Sequence, residues 1–393
     1  MDSELPIFND DNRFWLIRAE GGKFFDDFVN NDYVGIKYNR ITIKELNKLL
    51  KNNPALSIDD IRNLIFLKYI DTVDKNEITA DDLKASSKSQ LTVHAKQDYL
   101  FAFEMKIGDF VLIPAKYSYK FALGIIIGNP YDENISAIKE LQNEFKNGDI
   151  AYVPSNYIKR RKIQWLSIIE RKDLPKEIAW IMNMHQAVGN LDTEDPSKLF
   201  NLVTPFYKYK DKYYLRVYTT RGGELSMRDW SDLFSIIPEA YQENIDLRAN
   251  VNSPGFFTFL TSNLDGILHI ISVLGGIGGP IISYKFLEAL VGKDNLKEKG
   301  VIEWAQDRWR KHKDNKVHNM KKNIEYKEEK EKYKKIKSKN KTSKDKIKKL
   351  GLSIKDVGKP IEKNKNKIIE LDVKDDKDQK DKQNKPKDNE KHS

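Results

Sequence analysis

Lys159, Arg160, Arg161 and Lys162 stand consecutively and are followed by Trp165. Four cations beside an indole are the residue types that hold nucleic-acid phosphates and stack a base. Arg18 sits before Ala19-Glu20-Gly21-Gly22, and two further aromatic side chains, Tyr117 and Tyr119, lie between Lys116 and Lys120. Together Arg18, Tyr117, Tyr119, Lys159, Arg160, Arg161, Lys162 and Trp165 form a candidate nucleic-acid-binding set. The same residues have plainer uses: Trp15 and Trp165 suit the core of alternating strands, and a basic run can guard a strand edge. The Gly21-Gly22 turn is either a simple turn or an anion-binding nest at a helix start.

These residues need a framework. Phe110–Pro114 and Phe121–Ile127 are apolar runs joined by the polar stretch from Lys116 to Lys120, with turn residues Gly108-Asp109 before and Gly128-Asn129-Pro130 after, which predicts a β-hairpin of a small barrel. The pattern further predicts strands at Phe14–Ile17, Tyr33–Tyr38 and Ala151–Pro154. A strand at Ile158–Ile169 would place Ile163 and Trp165 on one face and Arg161 with Gln164 nearer solvent. Helices are expected at Lys23–Asn31, Ile41–Leu50, Ser57–Ile70 (capped by Ser57 and Asp60), Ile135–Asn147 and Leu174–Ala187. Thr72–Val93 reads as a loop with a short helix at Thr79–Ala85.

Catalytic chemistry is thinly represented. The chain has no cysteine, so disulfides, thiolate metal sites and cysteine nucleophiles are excluded. His94, His185, His269, His312, His318 and His392 are scattered without metal-ligand spacing, and no phosphate loop, nucleophile elbow or dinucleotide fingerprint occurs. No cofactor or metal is expected. Charge is uneven: residues 293–393 carry 34 lysines and arginines against 20 acids, whereas the 393-residue chain is +10. The high isoelectric point therefore belongs to the tail, and a nucleic-acid argument must rest on local patches. An acidic start, Met1-Asp2-Ser3-Glu4, lacks the features of a signal peptide, so a cytoplasmic or membrane-associated location is expected.

Motifs in order then carry a resemblance. They are Trp15-Leu16-Ile17-Arg18-Ala19-Glu20-Gly21-Gly22, Gly35-Ile36, Met105 through Pro114 (MKIGDFVLIP), Leu123 through Gly128 (LGIIIG) and Arg160 through Leu166 (RRKIQWL). This series resembles the N-terminal domain of Mrr-type restriction and related bacterial phage-defence proteins, over about residues 13–190. That domain is similar to the PUA and EVE β-barrels, which hold a modified or flipped base in an aromatic pocket. The resemblance implies a nucleic-acid partner, DNA foremost. Mrr-type enzymes continue into a nuclease domain with a Glu/Gln-x-Lys motif. Here Glu104-Met105-Lys106 and Asp372-Val373-Lys374 match only by letters.

The expected fold is α+β. A PUA/EVE-like barrel domain occupies 1–195 and a second small α+β domain 196–262, with a strand at Asp211–Thr220, a helix at Met227–Tyr241 and a strand at Asn244–Asn250. A Gly-rich apolar segment follows at 263–292. Its stretch Gly266–Tyr284 has no formal charge and is near the minimum length to cross a bilayer, against a buried or oligomer-contact role. A charged helix is expected within 293–338 (Val301–Lys337), and a lysine-rich disordered tail over 339–393. The expected function is non-enzymatic nucleic-acid sensing in phage defence. The alternatives are a membrane-associated effector, using 266–284 and the basic tail on anionic lipid, and a restriction-type nuclease with an unrecognised site. A homo-oligomer is compatible with each.

Overall fold

The computed structural model describes residues 3–74, 88–220, 225–237, 239–250, 255–275, 296–318 and 341–366. Two sheets with helices on their faces make a mixed α+β protein, and one sheet curls into a half-barrel.

The half-barrel grows from the expected hairpin. Strand β4 (Phe110–Pro114) pairs antiparallel with β5 (Lys120–Ile126), from Phe110 opposite Ile125 to Pro114 opposite Phe121. Every residue of both strands is buried, because each face of this sheet is covered. Val111, Ile113, Ala122 and Ile126 point into one core, and Phe110, Leu112, Phe121, Leu123 and Ile125 into another.

Beside β5 runs β7 (Lys159–Glu170), whose second half pairs with β5 and whose first half pairs with β3 (Tyr33–Ile36). A bulge between Leu123 and Gly124 accompanies the curl. Gly124 is required there: a Cβ would lie 2.4 Å from Ile163 Cγ2 and 2.7 Å from Trp165 Cε3. On the other side β2 (Phe14–Ile17) runs parallel to β4 and pairs with β8 (Val188–Asn190). A two-residue strand, β6 (Tyr131–Asp132), joins the start of β7.

Four helices flank this sheet and β6: α1 (Phe25–Asn30), α2 (Ile43–Asn52), α3 (Ile58–Asp74) and α4 (Lys88–Tyr99), the last continuing as a π-helical turn over Leu100–Glu104. Ser57 and Asp60 cap α3 as expected: Asp60 N–H donates to Ser57 Oγ at 3.2 Å and Ser57 N–H to Asp60 Oδ2 at 2.8 Å. Helix α5 (Ile135–Asn147) follows β6 with the predicted bounds.

The second sheet has the order β11-β12-β10-β9-β1-β13. It comprises β9 (Phe206–Tyr209), β10 (Lys212–Thr219), β11 (Asp246–Asn250), β12 (Gly255–Thr261) and β13 (Leu296–Gly300). Between β9 and β13 lies β1 (Ser3–Phe8), parallel to both, and a seventh strand, β14 (Leu352–Ser353), pairs with β10 off this path. Helices α6 (Ser197–Val203) and α10 (Val301–His318) lie between the sheets, where Phe8, Phe14, Phe110, Phe200 and Trp304 share one cluster. Pairing thus crosses the sequence division at residue 195, since the N-terminal strand belongs to the later sheet.

Several expectations change. Leu174–Ala187 forms a 3-10 segment at Lys176–Asn183, Ala151–Pro154 is not a strand, and 88–93 begins α4 rather than ending a loop. The helix expected over Met227–Tyr241 divides into α7 (Met227–Phe234) and α8 (Glu239–Gln242). Helix α9 (Leu264–Gly275) buries Ile267, Ile270 and Ile271 against the second sheet. Among the described residues no helix is long and apolar enough to cross a membrane. The rest of Gly266–Tyr284 lies outside the described residues, as do Thr79–Ala85, 319–337, and the chain beyond 366. The disorder expected from 339 does not extend to 341–366, which forms α11 (Lys341–Leu350), β14 (Leu352–Ser353) and an ordered continuation.

Candidate nucleic-acid interface

Three of the four consecutive cations on β7 turn inward. Lys159 is fully buried and ion-paired with Asp98 of α4. Arg160 lies over the Tyr33 ring at 3.9 Å, donates from Nε to Tyr157 O at 2.9 Å and pairs with Glu133 at 3.3 Å. Arg161 donates to the carbonyls of Phe101 (2.8 Å), Ala102 (3.2 Å) and Met105 (2.7 Å). Those carbonyls end the π-helical turn and have no intrahelical partner, so the guanidinium closes the turn as a cap. Lys162 alone is exposed.

Neighbouring residues follow the same logic. Gln164, expected nearer solvent, is buried and donates to Ala305 O of α10. Trp165 is a core residue whose Nε1–H donates to Phe28 O at 3.1 Å. Trp15 does likewise, donating to Asp109 Oδ2 at 2.8 Å. The alternation that would place Arg161 outward does not hold, because α4 and its π-helical turn cover that face of β7.

A different part of the candidate set meets at one rim. The segment after β2 packs on the β4–β5 turn, and the contact needs glycine: Gly22 has φ +90°, and a Cβ there would lie 2.2 Å from Lys116 N. Arg18, half-buried, hydrogen-bonds through its guanidinium to Ile181 O at 3.2 Å. Burial lowers its pKa. Tyr117 is 79% exposed, with the Lys116 ammonium 5.3 Å from its ring centre. Tyr119 is half-buried, and its hydroxyl, without a hydrogen-bond partner among the described residues, is pushed up to about 12 by burial and by Asp26.

Residues that the motif reading passed over complete the rim. Glu20 accepts a hydrogen bond from Tyr157 at 3.3 Å, and Tyr38, 37% exposed, stacks on His94 with ring centres 3.4 Å apart. Burial, with Lys159 and Lys37 nearby, lowers His94 to about 4, so the imidazole is neutral near pH 7. Burial, Glu20 and Tyr38 raise the Tyr157 pKa. Six non-glycine residues among those described have positive φ, and four of them are here: Glu20 (50°), Tyr38 (73°), Tyr117 (62°) and Ser118 (52°). Such conformations cost energy and gather where the fold imposes a particular side-chain presentation. The signal available in the sequence was Glu20-Gly21-Gly22 and the Lys37-Tyr38-Asn39-Arg40 stretch after β3.

No set of three or more histidine and acidic side chains could hold a metal among the described residues. Glu104 of the E-x-K match pairs with Arg13 at 3.2 Å, and Lys106 donates its backbone N–H to Asp109. Asp372-Val373-Lys374 lies outside the described residues. Comparison with protein-family models, curated proteins and solved structures finds no match for this chain.

Proposed function

We propose that the rim binds nucleic acid, presenting Tyr117 and Tyr38 to unstacked bases and Lys116 and Lys23 to the flanking phosphates. The observation that carries this is Tyr117: a large aromatic side chain held out at positive φ, on a turn braced by Gly22 and beside a cation. Stacking is worth about 1–3 kcal/mol per base and tolerates any sequence, whereas the cations add salt-dependent affinity. The Tyr38 hydroxyl and the Glu20 carboxylate supply a donor and an acceptor for a base edge. This reading agrees with the resemblance to base-holding PUA and EVE barrels, and it makes the protein a non-enzymatic DNA sensor of the phage-defence kind. Lys159, Arg160 and Arg161 have no part in it, since their charged heads are occupied inside the fold.

The test is binding of the full-length protein to single-stranded DNA and to duplexes with an extrahelical base, at two salt concentrations. Measurable affinity that falls with salt and falls again in Tyr117→Ala supports the proposal. Absence of binding to any nucleic acid at low salt sinks it.

A further inference from the structure

The stretch 341–366 contains nine lysines against three acidic residues and rests on carboxylates from both sheets' neighbourhoods. Lys349 of α11 pairs with Asp232 at 2.9 Å and Asp229 at 3.3 Å, on α7. Farther on, Lys359 pairs with Glu170 at 3.0 Å and Lys363 with Asp32, while Arg308 of α10 holds Asp356 at 2.8 Å. Ile168 of β7 and Lys359 exchange two backbone hydrogen bonds of 2.8 Å, and Ala151 N–H donates to Lys365 O at 3.0 Å.

Apolar anchorage is unequal along this stretch. Ile347, Leu350, Leu352 and Ile354 are buried in the cluster beneath the second sheet. Beyond them only two apolar residues remain before 366, Val357 and Ile361, each partly buried at a different cluster. The second half is therefore held by those backbone hydrogen bonds and by exposed ion pairs, which salt or a competing polyanion weakens.

We propose that residues 355–366 form a releasable strap whose lysines are taken over by nucleic-acid phosphates. Polyanion binding lifts the strap from β7, α1 and Ala151, while α11 and β14 stay seated through their apolar contacts. The strap bridges the two sheets, so its release removes that bridge while the apolar cluster of Phe8, Phe110, Phe200 and Trp304 still joins them. Only the identity of the polyanion rests on the function proposed above.

Amide exchange of the full-length protein at Ile168 and Ala151 tests the idea, with heparin and a short DNA duplex as probes. Saturation with either is expected to speed both amides at least about tenfold, since their acceptors leave with the strap. The chain has no cysteine, so Ile168→Cys with Lys359→Cys makes a clean disulfide lock. Locked protein should keep its protection and bind the duplex at least about threefold more weakly. Unchanged exchange under both probes overturns the strap, and acceleration by heparin but not DNA overturns nucleic acid as its partner. Tyr117→Ala keeps the strap response, which separates this test from that of the rim.

Discussion

Lys159 on β7 and Asp98 on α4 meet as an ion pair that is closed to solvent on both sides. Each charge is tolerated only because the other is present. Lys159→Met or Asp98→Leu alone should cost about 3–5 kcal/mol by denaturant unfolding, and the double change should recover most of it. A phosphate-binding lysine would behave otherwise, losing affinity and leaving stability alone.

Arg161 is expected to resist conservative replacement. Its planar fork reaches four carbonyls at once, those of Phe101, Ala102, Met105 and Gly128, and lysine cannot reproduce that geometry. Arg161→Lys should lower stability by about 2 kcal/mol or more, measured as a shifted denaturation midpoint. Arg160→Glu with Arg161→Glu should lose the folded near-UV signal, so weakened DNA binding by that variant would carry no information about contact.

Tyr117 offers the opposite profile. With its ring 79% exposed, Tyr117→Ala should leave stability within about 0.5 kcal/mol of the parent. Its nucleic-acid affinity should fall by about 1–3 kcal/mol in a titration. Lys116→Ala should reduce the slope of log affinity against log salt by about one unit.

His94 gives a pH signature. Its folded pKa, near 4, lies below the ordinary value of 6.5, so the unfolded chain binds the proton more readily. The neutral ring's contribution is complete above pH 6.5 and is lost as pH falls toward 4. His94→Gln should flatten the stability profile across that window by about 1–2 kcal/mol, less than full linkage because solvent screens part of the ring. Equal profiles for the two proteins would exclude His94 as the cause.

Deleting residues 1–9 should unfold more than an N-terminal extension would. β1 lies between β9 and β13, and Leu5 and Phe8 are each at most 1% exposed. Loss of soluble, cooperative unfolding is expected. For the same reason a fragment ending at residue 195 leaves β1 without either neighbouring strand.

Local chemistry decides several elements. Turn residues at Gly108-Asp109 and Gly128-Asn129-Pro130 bound the hairpin, Ser57 with Asp60 caps α3, and the apolar spacing of Ile135–Asn147 gives α5 its bounds. Apolar strand runs were visible too, although a run buried on both faces does not announce which residues point to which core. The pairing of β1 with strands roughly two hundred and three hundred residues away was not legible, because nothing near Ser3–Phe8 names those partners.

The sequence by itself determined the residue types available: no thiol, scattered histidines, a cationic run, and aromatic side chains beside glycine turns. Tertiary structure alone decided which cations face solvent. Asp98, Tyr33 and the carbonyls of Phe101, Ala102 and Met105 reach β7 from distant segments, and a buried charge stays only where such partners converge. The run that looked like a phosphate-binding edge thereby became the inner bracing of the half-barrel, and the exposed chemistry moved to the rim around Gly22, Tyr38 and Tyr117.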